Sequence, residues 1–219
     1  MKKDNEKNLW DNLDDKNKSY TVSVLHFFHY RRKIMISKSW TREEVFTWEL
    51  VNALDILPRE YFLAEFLNFI KQNKKELNNI AAKLSEHPSD VTLTAHPKLN
   101  PNRGNDASDI RLSINNNNEL WIEAKTGIIK KEELLSQIEE QKRMLQKRNN
   151  NKKYGILALI PKDQKSETTF IYWSDVKEIF EIAVHKLEKD NKNNSNLIKG
   201  YKKIAQKLTD RIESFPNLT

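Results

Sequence analysis

The sequence predicts an α/β or α+β domain built on a mixed sheet. Three observations carry this. Apolar residues recur at helical spacing over 42–57, 59–87 and 130–148. Two alternating runs, SDIRLSI and ELWIEAKTG, flank a turn at Asn115–Asn118. A near-continuous apolar run, KKYGILALIP (152–161), reads as a strand buried on both faces.

The elements follow in order. Residues 1–18 are polar and charged, so a flexible terminus is expected. Residues 20–38 hold β-branched and aromatic side chains in partial alternation, which reads as a strand or strand pair. Thr41-Arg42-Glu43-Glu44 has the form of a capping box and should start a helix. That helix should stop before Pro58. Phe46, Leu50, Ala53 and Leu57 form its apolar stripe. A second helical stretch ends at Pro88 and divides near Gln72–Lys75.

DVTLTAHPKL (90–99) alternates as a strand, and PNRGNDA (101–107) is a loop. With the two runs around the asparagines it makes an antiparallel meander of three strands. A helix over 130–148 buries Leu134, Ile138, Met144 and Leu145. After the strand at 152–161 comes another, TTFIYWS (168–174). A helix begins near Ser174 or Asp175, and a last helix covers 197–214. No internal repeat or domain boundary is visible, so residues 1–219 read as one domain.

Composition narrows the function. The chain has no cysteine, which excludes a disulfide framework and a thiolate metal site. No apolar stretch reaches the length of a membrane span, and MKKDNEKN lacks a signal core. A soluble, cytoplasmic protein is therefore expected. The net charge is +7, which suits a polyanionic partner, although a solvated lysine coat has the same composition. His26, His29, His87, His96 and His185 are scattered, without the spacing of a zinc site. No glycine-rich phosphate loop or nucleophile elbow is present.

The meander holds the informative residues. By strand alternation Ile110, Leu112 and Ile114 share one face, and Asp109, Arg111 and Ser113 the other. In the next strand Trp121, Glu123 and Lys125 share a face. A hairpin turning at the asparagines brings Asp109 close to Glu123. Two like charges in contact are costly unless a cation lies between them. Mg²⁺ is a hard cation that takes oxygen ligands. The Ala124 carbonyl could supply a third oxygen. The competing reading is a cross-strand ion pair on a solvated face, with about 0.2–1 kcal/mol of stabilisation. Asp106 is an alternative first acid, and strand placement favours Asp109.

Asp109 followed by Glu123-Ala124-Lys125 resembles the signature of the PD-(D/E)XK nuclease superfamily. The element order αβββαβ over about 41–161 resembles it too. The resemblance implies a restriction-endonuclease-like fold and a Mg²⁺-dependent phosphodiesterase that cleaves DNA, with Mn²⁺ as a substitute. It places the metal on Asp109, Glu123 and Ala124 and gives Lys125 the role of assisting the attacking water. The residue before the first acid is usually proline in the family and here is Ser108. Many members carry a glutamate on the first helix, for which Glu49 is the candidate. Some carry a glutamine on the helix after the third strand. Gln137 is the first candidate, with Gln141 on the same side. A restriction or phage-defence role and a two-fold homodimer follow by analogy. The rival expectations are a non-catalytic nucleic-acid-binding or assembly protein, a junction resolvase, an exonuclease, and an RNA-directed nuclease.

Overall fold

The computed structural model describes residues 42–95, 108–115, 117–148, 152–162, 169–191 and 195–214. They lie within the unit Arg42–Thr219. The expected flexible 1–18, the strand region 20–38, Thr41 of the capping box, His26, His29, His96, and the loop with Asp106 lie outside the described residues.

The first helix, α1, spans Arg42–Ile56, and Pro58 follows two residues later. The next helical stretch divides where expected. Helix α2 covers Phe62–Asn73, a 3₁₀ turn covers Lys75–Leu77, and α3 covers Asn78–Glu86. Strand β1 is Thr92–Ala95, β2 is Ile110–Ile114 and β3 is Asn118–Ala124. Asn115 opens the turn between the last two with φ at 50°, a left-handed conformation that asparagine tolerates better than most residues. Helix α4 (Lys131–Arg148) leads to β4 (Lys153–Ile160). Strand β5 is short, Phe170–Tyr172. Helix α5 (Trp173–Asp190) starts directly after it, a residue or two earlier than the sequence suggests. The reason is local: the Asp175 carboxylate accepts the Tyr172 backbone N–H at 2.8 Å and caps the first turn. Helix α6 (Ser195–Glu213) ends the described chain.

The five strands form one sheet in sequence order, β1-β2-β3-β4-β5. Strand β2 is antiparallel to both neighbours, and β3, β4 and β5 run parallel. A parallel pair needs a crossover, and α4 is the one between β3 and β4. This is a mixed α/β architecture with helices on both sides of the sheet.

Two cores explain the layers. The larger packs α1, α2, α3, α5 and α6 on the face that carries Ile110, Leu112, Leu120, Ile122, Leu157 and Leu159. The smaller packs Leu134, Ile138 and Leu145 of α4 on Trp121, Ile156, Ala158, Ile160 and Phe170. Strand β4 alternates between these cores, which is why its sequence is apolar throughout. Gly155 lets the 3₁₀ turn and α3 approach closely, since a Cβ there would lie 2.6 Å from Leu77 Cδ2 and 3.2 Å from Ile80 Cδ1. No helix among the described residues is long and apolar enough to cross a membrane.

Candidate active site

Asp109 immediately precedes β2, and Glu123 is the second-last residue of β3. Ile110 is paired with Ile122, so one further step of the antiparallel register sets Asp109 opposite Glu123. Two hydrogen bonds fix this end of the hairpin. The Asp109 carboxylate accepts the Ala124 N–H at 2.7 Å, and the Ser108 hydroxyl donates to the Ile122 carbonyl at 3.0 Å.

The Glu123 side chain is buried beneath α4 although it is ionisable. One carboxylate oxygen accepts from Lys125 Nζ at 2.8 Å and the other from Gln141 Nε2 at 2.6 Å. Lys125 also donates to Glu43 at 3.2 Å. Its side chain therefore crosses the end of the sheet, from β3 to the first turn of α1. An aromatic relay holds α1 in that place. Phe46 meets Trp173 edge to face with ring centroids 5.4 Å apart, and the Trp173 indole N–H donates to the Lys125 carbonyl at 2.8 Å. Such ring pairs contribute about 0.5–1.5 kcal/mol beyond their burial.

Among the described residues Asp109, Glu123 and Glu43 lie near one lysine, Lys125. Burial raises the Asp109 pKa first, and the negative charge of Glu123 raises it further. The Ala124 N–H and Lys125 oppose this, Glu43 adds to it, and the result is a carboxyl pushed up to about 7. Lys125 responds in the opposite sense. Burial alone would lower its pKa, but Glu123, then Glu43 and Asp109, hold it above the ordinary lysine value. Lys125 is thus a fixed ammonium throughout the physiological range.

The backbone adds an oxygen. The Lys125 N–H points to β4, where it donates to the Leu159 carbonyl at 2.8 Å. In a planar trans peptide the C=O and N–H point in opposite directions. The Ala124 carbonyl therefore points toward the β2 side, where Asp109 stands. Among the described residues no group of three or more His, Cys, Asp or Glu side chains is arranged to hold a metal ion. Any cation at this position would be held by two carboxylates and a carbonyl, with water in the remaining positions.

The structure thus brings Asp109, Glu123, Ala124 and Lys125 together. It places two other candidates differently. Glu49 faces α6, where it pairs with Arg211 at 2.8 Å, and Glu43 is the α1 acid that reaches Lys125. By helical geometry these glutamates flank the apolar stripe of α1 on opposite sides, and the flank nearer the sheet end is the one with Glu43. On α4 the glutamine bound to Glu123 is Gln141, while the Gln137 carbonyl oxygen is buried without a partner. The sequence holds a signal for this. Leu134, Ile138, Gln141 and Leu145 fall on one line at spacings of four, three and four, and Gln137 lies to its side. A polar residue on that line must reach a buried partner. No family model, curated protein or solved structure matches the chain.

Proposed function

We propose that this chain is a Mg²⁺-dependent endonuclease that hydrolyses DNA phosphodiester bonds on a restriction-endonuclease-like fold. The observation that carries the reading is the face-to-face pair Asp109–Glu123, with the Lys125 ammonium 2.8 Å from Glu123. The order α1–α2–α3, β1–β2–β3 meander, α4, β4 supports the same reading, because with two added helices before the meander it contains the αβββαβ pattern of the superfamily. The net charge of +7 suits a phosphate backbone.

The residues fit a hard cation. Burial, and then the charge of Glu123 opposite, hold Asp109 protonated to an unusual degree, and a divalent cation would relieve the repulsion between the two. Asp109, Glu123 and the Ala124 carbonyl would hold Mg²⁺, or Mn²⁺ in its place. When bound, such an ion polarises a phosphoryl oxygen and acidifies water. Lys125 orients the attacking water and stabilises the charge that grows on the phosphoryl group. Its two carboxylate partners keep the ammonium at a fixed point. Gln141 holds the Glu123 rotamer, and Trp173 holds the Lys125 backbone. By analogy the setting is restriction or phage defence, with a homodimer cutting both strands.

Purified protein incubated with supercoiled plasmid and Mg²⁺ tests this. The wild type should nick or linearise the plasmid. Lys125→Ala should lose about 10²–10³-fold in rate. If both leave plasmid, branched DNA and RNA intact, the cluster is an ion-pair network and the nuclease reading is wrong. If Asp109→Ala binds DNA as well as the wild type and neither cuts, the chain is a binding protein.

A further inference from the structure

Among the described residues one cation near the carboxylate pair, Arg111, makes no ion pair. Arg111 lies two residues along β2 from Asp109, on the same face, about 6–7 Å away by the strand rise. Its register partner is Trp121, just as the continued register pairs Asp109 with Glu123. The guanidinium carbon sits over the Trp121 ring, 5.6 Å from its centroid. Among the described residues Arg111 makes no ion pair, and its Nε is buried without a hydrogen-bond partner.

The two glutamates of β3 on this face are already engaged. Glu119 accepts from Lys152 Nζ at 2.9 Å and from Trp121 Nε1 at 3.0 Å. Glu123 accepts from Lys125 and Gln141. Helix α4 packs its apolar side on residues of β3, β4 and β5. Thr94, opposite Arg111 on β1, adds a hydroxyl to the same face. A half-buried guanidinium with an unmet donor favours an anion, and arginine's planar fork matches phosphate oxygens. The Trp121 ring holds that fork in one plane, which reduces the ordering cost of binding.

We infer that Arg111 grips a backbone phosphate of the nucleic acid next to the one being cleaved, and so fixes the strand relative to the Asp109–Glu123 pair. This deepens the nuclease reading above and rests on it. Arg111 is a substrate-binding residue, and the chemical step does not pass through it.

The test compares wild type, Arg111→Met and Arg111→Lys on a fluorescently labelled DNA duplex. Arg111→Met keeps an apolar stem on Trp121 and removes the charge. Its Kd and KM should rise roughly ten- to a hundredfold, as for loss of a charge-assisted hydrogen bond. Its kcat should stay within a few-fold of wild type. The slope of log K against log salt should become shallower by about one. Arg111→Lys should keep the slope, because the charge remains, and show an intermediate KM, because the fork is lost. A lower melting temperature in Arg111→Met with wild-type KM and slope would overturn the inference and leave a structural cation–π contact. If Arg111→Met does not fold, Arg111→Lys decides: a wild-type KM overturns the inference. In either case a wild type that cuts leaves the nuclease reading intact. A wild type that neither binds nor cuts overturns both.

Discussion

Strand β3 carries two buried glutamates on one face, four residues apart, and they have opposite surroundings. Glu119 and Glu123 are both almost fully buried, at 5% and 7% exposure. Each accepts from a lysine, Lys152 at 2.9 Å and Lys125 at 2.8 Å. Each also accepts from a neutral donor, the Trp121 indole or the Gln141 amide. The difference lies across the hairpin. Opposite Glu119 is Ser113, and opposite Glu123 the register continues to Asp109. The first site balances one acid with one base. Among the described residues the second gathers three acids near one base, and burial, then the charge of Glu123, raises the Asp109 pKa. A buried carboxylate by itself therefore marks structure. A buried carboxylate set opposite a second one is the place where we propose a cation.

The widest separation of the two sites should come from a matched pair of substitutions. Glu123→Gln should lower DNA cleavage by about 10²–10³-fold while the protein stays folded. Glu119→Gln should leave cleavage within a few-fold and lower stability by roughly 1–3 kcal/mol, since Lys152 loses its charged partner. Cleavage rates and urea unfolding of both variants give the two readings. Equal loss of activity would remove the distinction.

A smaller effect concerns the protein without metal. Asp109→Asn keeps an acceptor for the Ala124 N–H and removes the like charge. At pH 8 the melting temperature should rise by about 2–4 °C for each kcal/mol of relieved repulsion. The pH dependence follows from the direction of the shift. The folded Asp109 carboxyl titrates at about 7 and the unfolded one near 3.8, so the fold binds the extra proton between them. The stabilisation is present in full below the unfolded value and is lost as pH rises to 7. Wild type should thus lose more stability than Asp109→Asn between pH 4 and pH 7. A parallel pH profile would show that Asp109 is not perturbed.

The smallest effect tests the aromatic relay. Trp173→Phe keeps the packing on Phe46 and removes the donor to the Lys125 carbonyl. It should cost about 1 kcal/mol of stability and a few-fold in cleavage rate. Loss of all activity would mean that the relay does more than hold the backbone of Lys125.

Much of the fold was legible because local rules and packing agree. The break between α2 and α3, the meander, and the apolar β4 all follow from periodicity and turn residues. Asp109, Glu123 and Lys125 were legible because a hairpin converts spacing in sequence into pairing in space. The helical contributors were harder to read. Glu43 and Glu49 both flank one stripe of α1, and only the docking of Phe46 on Trp173 decides which of them meets Lys125. Gln141 follows from the stripe of α4, but its partner lies on another element. The α4 side of β3 looks half polar in sequence and is buried in the fold, because Glu119, Trp121 and Glu123 satisfy one another and their neighbours. The start of α5 moved because the carboxylate of Asp175, not its position as first residue, caps the helix.

Calorimetric titration with Mn²⁺ at pH 7 tests the central claim most directly. Wild type and Glu119→Gln should each bind the ion at the Asp109–Glu123 pair and release part of a proton from Asp109, seen as a dependence on buffer ionisation heat. Glu123→Gln should lose that binding. Absence of binding in the wild type, or equal binding in Glu123→Gln, would contradict a cation shared between these two strands.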